Sequence, residues 1–169
     1  MFIALHELEL HRITVSETYP PGTLDFQEAK FRQAGPLTVN TEAELAGNEI
    51  RVRGHVCGAV ETACDRCLEQ IRIPVELDFD LPYRPMEEIA REDEVEVAED
   101  ELKVGFFSGD GVNLADVVKE QVLLSVPMKV VCRPDCRGLC PVCGVNRNAR
   151  ECGCSSQHKD SPFAFLKKM

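Results

Sequence analysis

Eight of the nine cysteines in this chain fall into close-spaced groups, and nothing else in the sequence limits its possible structures as much. Cys64-Asp-Arg-Cys67 comes first. Cys132-Arg-Pro-Asp-Cys136-Arg-Gly-Leu-Cys140-Pro-Val-Cys143-Gly144 follows much later, and Cys152-Gly-Cys154 ends the series. The chain starts Met1-Phe-Ile-Ala-Leu-His-Glu, so a His and a Glu interrupt any apolar signal region, and secretion is not expected. Without an oxidising compartment, cysteines at this density read as metal ligands rather than as disulfides.

A tetrahedral zinc ion takes four thiolates, commonly as two close pairs brought together by the fold. A pair separated by two residues wraps one ion because the turn between them aims both sulfurs inward. Cys140-Pro-Val-Cys143 has this form, with Gly144 placed to let the chain curl back. Cys152 and Cys154 lie nearest to complete that set, across a short polar loop of residues 145–151. Cys140, Cys143, Cys152 and Cys154 are therefore expected to hold one zinc. Cys64, Cys67, Cys132 and Cys136 remain for a second, which would tie a hairpin tip to a distant segment. Spacing alone also allows Cys132 or Cys136 to join the C-terminal set. His158 is a spare ligand candidate, but a solvent-facing histidine explains it better. Cys57, with no partner at ligand spacing, is expected to be a buried structural thiol.

Other uses of these thiols fit less well. Redox chemistry at Cys64-x-x-Cys67 calls for a helix N-terminus to lower a thiol pKa, and the sequence offers a hairpin tip instead. Four thiolates can hold iron–sulfur clusters as well as zinc, though Cys-Pro-x-Cys-Gly turns favour zinc or a single iron. A catalytic zinc keeps an open position and usually has His or carboxylate ligands, which two all-cysteine sets do not provide. No phosphate-binding loop, nucleophile elbow or Gly-rich dinucleotide turn is present. An enzyme is not expected, nor a small-molecule substrate.

The remainder of the chain reads as an acidic body. The whole carries 29 acidic and 19 basic side chains, a net charge of −10, which excludes a uniformly basic nucleic-acid binder. No apolar run is long enough to span a membrane. Residues 128–169 run against the trend, with more basic than acidic side chains, so the division expected is an acidic body, 1–127, and a basic cysteine-rich module, 128–169, packed on it. Within the body, Leu37, Val39, Thr41, Ala43 and Leu45 alternate with polar residues. Ala46-Gly47-Asn48 marks a turn, and Ile50, Val52 and Val56 continue the alternation. Ile71, Ile73, Val75, Leu77, Phe79 and Leu81 repeat it. Period two with one wet face predicts an antiparallel meander. Pro74 belongs at an edge or a bulge. Residues 84–101 are strongly acidic and read as a solvated loop, or as an arm for a basic partner. Val104-Gly-Phe-Phe predicts a further strand. Asn113 reads as a helix N-cap with Asp116 at the capping-box position, and Leu114, Val117, Val118, Val122 and Ser125 follow helical spacing until Pro127. The fold class is thus α+β: an antiparallel sheet, one packed amphipathic helix over residues 113–126, and a C-terminal zinc-knuckle module.

The long cysteine motif from Cys132 through Asn148, with Cys152-Gly-Cys154, resembles the YceD family, the large ribosomal RNA subunit accumulation proteins. The likeness extends to Thr62-Ala-Cys-Asp-Arg-Cys-Leu-Glu, to the helix before Pro127 and to Ser161-Pro-Phe-Ala-Phe-Leu. It implies a cytoplasmic protein needed for synthesis, processing or stability of 23S ribosomal RNA. Ribosomal RNA or ribosomal proteins are the implied partners. The basic residues around the cysteines suit contact with phosphates: Arg133, Arg137, Arg147 and Arg150, with Lys129, Lys159, Lys167 and Lys168 beside them. Neutralising thiolate charge would use some of them equally well. No aromatic side chain interleaves with them before Phe163, so a platform for stacking bases is lacking.

Overall fold

The computed structural model describes residues 1–26, 30–86 and 104–154. The chain divides into two compact units, Met1–Thr62 with Ile71–Met128, and Ala63–Gln70 with Lys129–Met169.

The first unit is built on a sheet. Its strands are β2 (Ile13–Tyr19), β3 (Phe31–Gln33), β4 (Leu37–Ala46), β5 (Glu49–Ala63), β6 (Gln70–Pro85) and β7 (Gly105–Phe107). They lie in the order β2-β4-β5-β6-β7, and β3 pairs with β5 beyond the end of β4. The β4–β5 ladder is antiparallel, with Leu45 opposite Ile50 and Thr38 opposite Cys57. β2 runs antiparallel to β4 from Ile13–Ala43 to Tyr19–Leu37. A second, two-stranded sheet pairs β1 (Phe2–Ala4) with β8 (Gly111–Asn113), the two strands flanking the short α1 (Leu5–Leu8) and preceding α2 (Leu114–Ser125), respectively.

Two-residue periodicity decides what each strand buries. Val39, Ala43, Ile50, Val52, Val56, Val75 and Phe79 all enter one apolar core. The opposite face of the sheet carries ion pairs and one His–Asp hydrogen bond across the strands. Arg51 meets Asp80 at 2.7 Å, Arg53 meets Glu44 at 3.1 Å, and His55 meets Asp78 at 2.8 Å. Many of the acidic side chains are therefore set beside cations on a wet face, where each pair contributes little. Pro74 lies in the part of β6 before Tyr83–Pro85, the stretch that pairs with β7.

Helix α2 begins where the sequence places its cap, the Asn113 side chain accepting the Ala115 N–H at 3.1 Å. Leu114, Val117, Val118 and Val122 are buried in the same core cluster as the strands, each contributing about 1.5–3 kcal/mol by transfer from water.

Two expectations are corrected. The sheet is mixed, not purely antiparallel, because β7 runs parallel to β6, with Tyr83 opposite Gly105. Residues 86–104 separate these two strands, which is long enough for the crossover that a parallel pair requires. Cys57 is exposed, not buried. Ile50, Val52 and Val56 are even-numbered and face the core, so an odd-numbered neighbour on the same strand faces water. The acidic run of residues 87–101 and the terminal segment bearing His158, Lys159, Phe163, Lys167 and Lys168 lie outside the described residues.

Candidate metal centres

Among its described residues the second unit has little regular secondary structure, and their order comes from two cysteine turns with the same hydrogen-bond pattern. In the first, the Leu68 N–H donates to the Cys64 carbonyl at 2.9 Å, and the Cys64 N–H to the Glu69 carbonyl at 2.8 Å. In the second, Gly144 N–H donates to the Cys140 carbonyl at 2.8 Å, and Cys140 N–H to the Val145 carbonyl at 2.8 Å. The residue after the second cysteine is left-handed in both, Leu68 at φ 62° and Gly144 at φ 72°. Glycine meets that demand without strain, whereas leucine meets it at a cost of roughly 1–2 kcal/mol.

Each turn aims its sulfurs at two more cysteines. The sulfurs of Cys64, Cys67, Cys132 and Cys136 lie within 4.8 Å of one another, and so do those of Cys140, Cys143, Cys152 and Cys154. In the first group, Cys64 and Cys136 are 3.9 Å apart, and Cys67 and Cys132 are 3.6 Å apart. Four thiolates around a tetrahedral zinc, each bonded at about 2.3 Å, stand about 3.8 Å from one another. A disulfide would bring two sulfurs to about 2.05 Å, and all nine cysteines are free thiols. The donor set thus fits a metal ion at each group. The sequence-derived grouping and the observed one coincide residue for residue, and Cys132 and Cys136 both join the first turn.

The parts of the first group are fastened by polar contacts. Asp65 and Val130 exchange two hydrogen bonds: the Asp65 N–H to the Val130 carbonyl at 2.8 Å, and the Val130 N–H to the Asp65 carboxylate at 2.6 Å. The Arg66 guanidinium donates to the carbonyls of Pro134 and Cys136 at 3.3 and 3.0 Å. Backbone N–H groups of Arg66 and Cys132 reach the Cys64 sulfur, both at 3.4 Å. Gly138, also left-handed, lets the chain pass close to the first turn, since a Cβ there would stand 2.9 Å from the Arg66 carbonyl oxygen.

The thiols are tuned in opposite directions within each group. Burial pushes Cys64 up, but N–H groups of Arg66, Cys132 and Cys67 outweigh it and hold the thiol at about 6. The N–H groups of Cys143 and Val142 likewise bring Cys140 to about 6. Cys136 is lowered, first by the Asn148 side-chain amide, 3.3 Å from its sulfur. Cys67 accepts an N–H from Glu69, yet burial and the neighbouring thiols drive it up to about 12. Cys154 also rises to about 12, chiefly through its contact with Cys143. Crowded sulfurs that share protons behave this way, and a dication bound there would replace those protons.

The four arginines singled out in the sequence do not share one environment. Arg133 approaches Asp135 at 3.5 Å, and Arg137 pairs with Glu151 at 3.1 Å. Arg147 and Arg150 are exposed on the 145–151 loop, with no ion pair among the described residues. Sequence reasoning missed Arg66 and Asn148, which hold the cysteine segments together. Their short distance from the cysteines was visible, but their partners are set by the fold.

The family profile described as "Large ribosomal RNA subunit accumulation protein YceD" matches residues 52–169. An uncharacterized protein of Mycobacterium tuberculosis is 30% identical over 165 residues, covering 95% of this chain and 73% of its own. The uncharacterized protein YlbN of Bacillus subtilis is 22% identical over 133 residues, covering 78% and 72%. A protein of Arabidopsis thaliana, named "Large ribosomal RNA subunit accumulation protein YCED homolog 1, chloroplastic", is 22% identical over 177 residues, covering 88% of this chain and 49% of its own. No solved structure gives a significant match.

Proposed function

This chain belongs to the YceD family, and from that premise we propose that it is a non-catalytic factor supporting accumulation of large-subunit ribosomal RNA, its second unit shaped by two structural zinc ions. The observation that carries the reading is the pair of four-sulfur groups, each complete in cysteine and each spaced for a tetrahedral ion. Four thiolates leave no open position for substrate, so the zinc ions act on folding alone. A chain whose function depends on eight reduced thiols suits the cytoplasm.

Arg147 and Arg150 are the residues proposed to touch RNA phosphates. They project from the loop that the C-terminal zinc would close, so the ion would present them on a rigid base. Arg133 and Arg137 have carboxylate neighbours to satisfy first.

The test has two parts. Depletion of the protein should lower large-subunit ribosomal RNA relative to small-subunit RNA in the same cells. The purified chain should bind large-subunit ribosomal RNA with a salt-dependent affinity, and Arg147→Glu with Arg150→Glu should weaken binding several-fold and flatten the salt slope. An unchanged RNA ratio after depletion would defeat the proposal.

Charge favours a second reading at the level of the partner. The described part of the second unit holds six basic and four acidic side chains. Each four-thiolate zinc centre adds two negative charges, so the loaded unit is not a basic surface. A ribosomal protein, basic against an acidic body, is then the direct partner, and the double arginine change would leave assembly contacts intact.

A further inference from the structure

We propose that the two four-cysteine groups take up metal cooperatively, coupled through Asn148, a positioning residue whose side-chain amide holds the Cys136 sulfur from within the loop that the other group closes. The inference rests on both groups being metal sites.

Asn148 lies between Cys143 and Cys152, so its loop is anchored at both ends by ligands of the C-terminal group. Its side chain nevertheless serves the first group. The Nδ2 atom donates to the Cys136 sulfur at 3.3 Å, and the Oδ1 atom accepts the Arg137 N–H at 2.8 Å. The second contact settles the orientation of the amide. A backbone N–H can only donate, so it must meet the oxygen, and the amide N–H₂ is left facing the sulfur.

The loop is held in register with the first group by other contacts. The Arg147 N–H donates to the Gly138 carbonyl at 3.0 Å, and Leu139 bridges to Asn146. Asn146 in turn accepts the Asn148 N–H on its side chain at 2.9 Å, and the N–H groups of Ala149 and Arg150 on its carbonyl at 3.1 and 3.2 Å.

Cys136 is only 4% exposed, so water cannot take over the amide's place. A buried thiolate in an anionic metal centre needs such donors, because each one spreads the charge on sulfur. An ion in the C-terminal group fixes Cys143 and Cys152, hence the loop, hence the amide beside Cys136. An ion in the first group fixes Cys136, and with it Arg137 and Gly138, which hold Asn148 and Arg147 from the other side. The same contacts act in both directions, as coupling free energy requires. Loss of an outer-shell donor typically weakens a metal site 10–100-fold, so a coupling factor of about ten is expected.

Cobalt(II) reports on each group through its sulfur-to-metal absorption. With the full chain and a competing chelator, its affinity for the first group should fall about tenfold when Cys143→Ser and Cys154→Ser disable the other group. Asn148→Asp keeps the acceptor for the Arg137 N–H and removes the donor to sulfur. It should weaken the first group by a similar factor in the intact chain, move its charge-transfer band to lower energy, and add little once the C-terminal group is disabled. In the intact chain Asn148→Asp should also weaken the C-terminal group, a readout that does not need the cysteine variants to fold. Affinities at each group that ignore the state of the other, or an Asn148→Asp effect confined to the first group, would overturn the coupling. An intact chain that binds no cobalt at either group would overturn the metal reading itself.

Discussion

Leu68 and Gly144 occupy the same place in two cysteine turns that share one hydrogen-bond pattern, and only one of them suits it. Leu68 is 61% exposed, so replacing it forfeits little packing. Leu68→Gly should leave stability unchanged or raise it by up to about 1 kcal/mol, relief of the left-handed strain being offset in part by a more flexible unfolded chain. Gly144→Leu should cost about 1–2 kcal/mol. Chelator-dependent thermal melts of the two variants would reverse that order if the turns were not held as described. Protonation acts at the same scale. In the metal-free chain Cys64 and Cys140 lie below the ordinary thiol value of 9.0, so the stability they contribute is present above that value and lost as pH falls through about 6. Cys67 and Cys154 lie above it, and their contribution disappears as pH rises toward about 12. A bound dication needs all four thiolates, so binding at neutral pH should release protons, and acid should displace the ion as protons compete for the sulfurs. A colorimetric zinc chelator sampled across pH measures that release, and retention unchanged well into the acid range would contradict it.

At the level of elements, the parts that rest on local rules were readable in the sequence. The cap at Asn113 and the apolar spacing of Leu114, Val117, Val118 and Val122 define α2 without reference to anything distant. Asn113→Ala should lower stability by about 1 kcal/mol, and Leu114→Ala, at a fully buried site, by about 2–5 kcal/mol in denaturant unfolding. Equal, small effects would mean that α2 is not part of the core. Strands β4 and β6 alternate throughout, and β5 does so from Ile50 to Val56, so they too were readable. β2 was not, because Glu17 falls among Ile13, Val15 and Tyr19 and breaks the apolar pattern. The structure explains the exception: the Tyr19 hydroxyl donates to the Glu17 carboxylate at 2.5 Å, so the charge has a partner. The direction of β7 was also beyond local reading, since a short strand shows its periodicity but not which way it runs beside its neighbour. For Cys57 the signal was present in the parity of Ile50, Val52 and Val56, and its placement on the wet face predicts that Cys57→Ser shifts stability by less than about 0.5 kcal/mol.

Across the whole molecule, the cysteine pattern carried more information than composition did. Tetrahedral coordination demands four ligands, and eight grouped cysteines divide into two sets with few alternatives, so the sets could be written down before any coordinates. The contacts that surround them could not. Asp65 with Val130, Arg66 with Pro134 and Cys136, and Asn148 with Cys136 join residues whose proximity follows only from the fold. Net charge describes the cysteine-rich unit incompletely, because its thiolates would count as anions once a metal is bound. The most direct test is elemental analysis of the full chain, purified without added metal or chelator and paired with a count of reactive thiols. Close to two zinc atoms per chain, with Cys57 as the one fast-reacting thiol among the nine, is the expected result. A chain free of bound metal, with its cysteines freely reactive or joined in disulfides, would contradict it.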